Sequence, residues 1–151
     1  MSRDAKDLRV TLEAVRCSKS AGDPGVNLEI YGQLEARGVF INGSGDPEPG
    51  FREVLWSQSE DAGGFNIAPN TEIPVNKTAG FVVFERDFLW IGGKIVEEDD
   101  FSDDVLGDGF RKIHYNDIKS EIVTVGFNSD DQEILARYRI EMVRVIPKLE
   151  P

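Results

Sequence analysis

The chain has 151 residues, 40% of them hydrophobic and 30% charged, with a formal charge of −11. Length and composition fit one globular domain, residues 1–151, able to bury roughly two-thirds of its unfolded surface. The charge argues against a nucleic-acid partner and against unaided docking on anionic lipid, and no apolar run approaches the roughly 18 residues of a spanning helix.

The N-terminal "MSRDAKDLRV" has no apolar h-region, so the expectation is a cytoplasmic protein without a signal peptide. Cys17 is the sole cysteine, which excludes an internal disulfide and a cysteine-built zinc site. It reads as buried packing at a strand end rather than as a reactive thiol. The sequons at Asn42 and Asn76 read as chance matches.

Period two dominates from there. "LRVTLEAVR" sets Leu8, Val10, Leu12 and Ala14 against Arg9, Thr11 and Glu13, a half-buried strand. "CSKSAGDPG" is a turn-rich connection, and "VNLEIYGQL" alternates again, with "GVFI" extending that strand or beginning another. Residues 42–50, "NGSGDPEPG", read as a long breaker before the strand "FREVLW". The next twenty residues read as loop, with a short strand at "FNIA". "GFVVFE" and "FLWIGGKIVEE" are β-rich runs joined by "RD", which suits a tight hairpin or a short bend. "FRKIHYNDI" has no clear period, whereas "SEIVTVGF" is a strand. "ILARYRIEMVRVI" reads as the last strand, although Leu135, Tyr138, Met142 and Val145 also fit helical spacing. About eight strands separated by turn chemistry predict an all-β antiparallel sandwich or barrel, the sandwich being favoured.

Charge concentrates in "EEDDFSDDVLGDG", Glu97 to Gly109, at the end of a predicted strand. Such a run is either a solvated loop or a set of carboxylates converging on a cation. Calcium takes six to eight oxygen ligands, several from Asp or Glu. Glu97 and Asp99 are two apart on an extended start, Asp103 and Asp104 follow Phe101-Ser102, and Gly107 and Gly109 allow sharp turning. Phe101 is either an anchor into its own fold or an apolar tip.

"VEEDDFSDDVLG" resembles the third calcium-binding loop of C2 domains, the calcium- and lipid-binding modules. Glu97 and Asp99 match an acid, a spacer and a second acid, and Asp104-Val105-Leu106-Gly107 matches the later acid, spacer, aliphatic and glycine. "GDPGVNLEIYGQL" is similar to the family's first loop and following strand, and "VNKTAGFVVF" to its asparagine-led strand. The resemblance implies a C2-like sandwich in which Asp23, Glu97, Asp99, Asp103 and Asp104 hold calcium and the occupied loop docks on a lipid surface or another protein. Two departures stand against the metal. Where the family has a further acid before the Asp-Pro, this chain has Cys17, Ser18 and Lys19, and glutamate replaces the commoner aspartate at Glu97. "AGDPGVNLEIYG" also resembles the lipid-binding sandwich of lipoxygenases.

The remaining candidates weigh toward structure. Asp23 sits in Asp-Pro-Gly, which forms turns unaided. His114 is the only histidine, and catalysis would need a nucleophile or an orienting acid beside it. Trp56 and Trp90 can stack on sugars, but strand neighbours favour packing. With no nucleophile motif, metal-ligating histidine pair or cofactor fingerprint, the expectation is a non-enzymatic module. The competing expectation is a metal-free interaction subunit of a larger assembly or a homo-oligomer, contacting its partner through an irregular segment from Asn42 to Thr71.

Overall fold

Alternation of apolar and polar residues needs two faces, and two sheets packed face to face supply them. The computed structural model describes residues 3–20, 27–60, 64–98, 104–129 and 132–148. Its strands are β1 (Ala5–Ser20), β2 (Leu28–Ile41), β3 (Pro47–Gln58), β4 (Phe65–Ile67), β5 (Glu72–Phe84), β6 (Phe88–Glu97), β7 (Asp104–His114), β8 (Glu121–Ser129) and β9 (Gln132–Ile146). One sheet runs β5-β1-β9-β8; the other runs β3-β2-β6-β7, with β4 continuing the β3 edge against β2. All the pairings are antiparallel.

The predicted alternation fills the space between the sheets. Leu8, Val10 and Leu12 of β1 and Ile134, Ala136, Tyr138 and Ile140 of β9 face Leu28, Ile30, Leu34 and Ala36 of β2 and Leu89, Ile91 and Ile95 of β6. Each fully buried aliphatic side chain contributes roughly 1.5–3 kcal/mol relative to exposure. The Tyr138 hydroxyl crosses this core and donates to the Glu35 carbonyl at 3.2 Å, tying β9 to β2. Burial holds its phenol far above the usual range, so the hydroxyl stays a neutral donor. The "ILARYRIEMVRVI" run is strand, not helix, because both of its neighbours, β1 and β8, demand a partner of period two.

Three local expectations change, and one open choice is settled. Residues 42–50 are not all breaker, since strand β3 begins at Pro47. It is an edge strand, where a residue lacking N–H leaves no ladder bond unmade. β5 likewise starts at Glu72 and includes Pro74, and β3 and β4 together take half of the segment from Asn42 to Thr71. Residues 85–87 form the bend rather than the hairpin, one of the two readings expected of them. They bend the chain from β5 in one sheet to β6 in the other, with Arg86 at φ 78°. Buried Asp87 fixes that crossing: its Oδ1 accepts from the Ile41 N–H at 3.0 Å and from Arg3 at 3.2 Å. Finally, Gly107 and Gly109 lie inside β7 rather than in a turn. A Cβ on Gly109 would stand 2.6 Å from the Gly126 carbonyl and 2.9 Å from the Phe127 ring, so this glycine permits β7 to close against β8.

Candidate functional site

Antiparallel order decides which connections share an end. The pairs Ser20–Gln132, Ser129–Gln132, Ile30–Glu97 and Glu97–Asp104 bring the strand ends flanking three connections to one end of the sandwich. Gly32–Gln58 and Ile30–Phe65 bring the ends of β3 and β4 there too. Those connections carry Asp23, Asp61, Asp99, Asp100, Asp103, Asp130 and Asp131 in sequence. Acidity scattered along the chain is therefore directed to one end.

The described floor of this end begins with Glu97, the last residue of β6, 8% exposed and opposite both Ile30 and Asp104. One residue on, the Glu98 N–H donates to the Glu29 carbonyl at 2.7 Å, extending the ladder past the strand. Its carboxylate Oε2 is buried with no hydrogen-bond partner among the described residues. It lies beside Gly64, whose φ of 72° favours glycine and where a Cβ would sit 3.1 Å from that oxygen. A buried acceptor left open carries a desolvation cost of roughly 1–3 kcal/mol, which a cation or donor arriving at this end would relieve.

Of the predicted ligands, Glu97 is therefore at this end, and Asp104 is its backbone partner at the start of β7. Asp23, Asp99 and Asp103 lie outside the described residues, as does Phe101, and of Asp104 the backbone alone is described. Among the described residues no three His, Cys, Asp or Glu side chains cluster as metal ligands. The donor chemistry here is all carboxylate oxygen, of the hard type calcium prefers. Sequence reasoning misses Glu98, Asp61, Asp130 and Asp131. Once strand order is known, their position in connections at the same end is the signal.

The side facing the departures from the C2 pattern is well described. Cys17 is buried within β1, its N–H donating to the Thr71 carbonyl at 3.1 Å and its carbonyl accepting from Asn70 at 2.8 Å. Burial raises its thiol pKa, the dominant influence on it. This stretch supplies backbone ties and no carboxylate.

The other flagged side chains pack. Trp56 lies against the core. Trp90 stands on the outer face of the second sheet, with the Arg37 guanidinium 4.5 Å from its ring on the β2 side and the Phe110 ring 5.7 Å away, near parallel, on the β7 side. A sugar finds both sides taken. His114 packs on Phe88 at 5.6 Å. Beside Trp90, Glu35 is 3% exposed yet charged, held by Arg37 at 2.5 Å and by Arg52. Burial alone would raise its pKa; the two guanidinium hydrogen bonds outweigh burial and hold it below the ordinary 4.5.

No protein-family model matches the sequence, and no curated protein matches it. Solved structures do resemble it. Human GIVD cytosolic phospholipase A2 in complex with methyl gamma-linolenyl fluorophosphonate matches with TM-score 0.46 and 11% identity over 95% of this chain. This chain spans 18% of that one's length. A C2 domain protein from Ramazzottius varieornatus matches with TM-score 0.40 and 12% identity, covering 95% of this chain and 92% of that one. A further C2 domain matches with TM-score 0.35 and 19% identity, covering 91% and 99%. The fold that these strands build is an all-β antiparallel sandwich.

Proposed function

We propose that residues 1–151 form one non-enzymatic, C2-like binding domain, working in the cytoplasm, whose acidic end takes calcium and then docks on a lipid or protein surface. Asp23, Glu97, Asp99, Asp103 and Asp104 are the proposed ligands, with Glu98 beneath them. The observation that supports this reading is the open, buried Oε2 of Glu98, at the end of the sandwich where the strands flanking the aspartate-bearing connections terminate. Carboxylates so crowded repel one another, and a divalent ion relieves that repulsion. Bound calcium would also reverse the local sign of a −11 chain, turning repulsion from anionic lipid into attraction.

Calorimetric titration with calcium tests it. The expected result is a binding heat that is lost in Asp99→Asn/Asp104→Asn and is not reproduced by magnesium, which demands stricter octahedral geometry. Absence of heat up to millimolar calcium refutes the metal reading. The metal-free interaction subunit is the second reading, favoured by Cys17, Ser18 and Lys19 standing where the C2 pattern has a further acid. It predicts partner capture from cell extract that is equal in calcium and in chelator.

A further inference from the structure

The two sheets leave a seam on the side where their edge strands β3 and β5 lie, far from the acidic connections in the sequence of each strand. An apolar groove of about 360 Å³ runs along it, lined by Gly38, Phe40, Phe51, Phe81, Val82 and Phe84 among others. Phe51 is 60% exposed, Val82 47%, Phe84 41% and Phe40 39%. Such a row of exposed large apolar side chains marks an interaction site rather than ordinary surface.

The two edges are not alike. β3 carries Pro47, Pro49, Arg52 and Glu53, devices that discourage another strand from pairing. β5 has Pro74 and Lys77 in its first half, but from Thr78 to Phe84 it reads "TAGFVVF", with no charge, no proline and no break in register with β1. The Val82 carbonyl lies 4.0 Å from where a Cβ on Gly38 would stand, and the missing side chain leaves the groove open beside this part of the edge.

We infer that a second copy of this chain pairs here, β5 against β5 in antiparallel register, with the exposed phenylalanines packed over the join. Charge selects this occupant. The uncharged run is bounded by Lys77 on one side and Glu85 on the other, each four residues from Phe81. Antiparallel self-pairing sets each lysine beside the other copy's glutamate, whereas parallel pairing sets like against like. A twofold axis makes one such contact into two. The apolar surface available is about 350 Å² per copy, given 150–250 Å² for a whole aromatic side chain. That places the dimer in the small, reversible class. The net charge of −11 opposes it at long range, so added salt should tighten it.

Sedimentation velocity of the full chain in chelator, from 5 to about 500 µM, reads this directly, at roughly one and three times physiological salt. A monomer–dimer equilibrium that tightens severalfold at the higher salt is expected. Val82→Lys, at an exposed edge position, should weaken it at least tenfold with the melting temperature kept. Lys77→Glu and Glu85→Lys should each weaken it alone and restore it when mixed. A monomer throughout, or a dimer that Val82→Lys leaves intact, overturns the proposal. Because calcium is absent, the outcome is independent of the metal reading.

Discussion

Glu35→Gln isolates the clamp on the outer face of the second sheet. The substitution keeps the shape and one acceptor oxygen but removes the charge from a side chain 3% exposed. Charge-assisted hydrogen bonds contribute roughly 1.5–3 kcal/mol where both partners are dry. Here the guanidinium partners are 34% and 47% exposed, so solvent screening reduces each to about 1 kcal/mol. The expected loss at pH 7 is therefore about 2 kcal/mol, or about 4–8 °C in melting temperature for a domain of this size. The sign of the pH dependence follows from the depressed carboxyl. A group whose folded pKa lies below its unfolded one stabilises above the unfolded value, and that stability fades as pH falls through the folded value. The gap between wild type and variant should thus be full at pH 7 and narrow progressively below pH 4.5. Thermal unfolding at pH 7, 5, 4 and 3 measures it. Equal stability at pH 7, or a gap unchanged down to pH 3, would refute the clamp.

Gly109→Ala places a methyl 2.6 Å from the Gly126 carbonyl, so urea unfolding should show a loss of about 2 kcal/mol, and an unchanged midpoint would contradict the close approach of β7 and β8. Tyr138→Phe removes the one hydroxyl that crosses from β9 to the Glu35 carbonyl and should cost about 1 kcal/mol in the same assay. Cys17 should resist a thiol reagent in the native protein and react fully in denaturant, since it is buried and its thiolate is disfavoured; rapid native labelling would place it at the surface.

Legibility in the sequence tracks how many faces a strand buries and on which side its edge lies. β1, β2, β8 and β9 were readable because each alternates between one dry face and one wet one, as Leu8, Val10 and Leu12 do against Arg9 and Thr11. Pro47, Pro49 and Pro74 hid the starts of β3 and β5, since an edge tolerates proline and sequence does not announce which strand is an edge. Asp104–His114 mixes aspartate, glycine and lysine without period because β7 is also an edge, and its Gly109 serves a neighbour in the other sheet. The acidic hairpin was visible because its charges are consecutive. The approach of Glu98 to Gly64 was not, because contact across 34 residues leaves no local pattern.

The strand order of the first sheet sets a timetable for folding. β9 lies between β1 and β8, so a strand made at residues 132–146 is the centre on which residues 5–20 must dock. A nascent chain would leave bare the side of β1 that β9 takes until some 110 residues beyond β1 had been added, at roughly 5–20 residues per second. Closure of that sheet is therefore a late, non-local event, of the kind that makes high-contact-order β proteins slow to fold and dependent on protection while they wait.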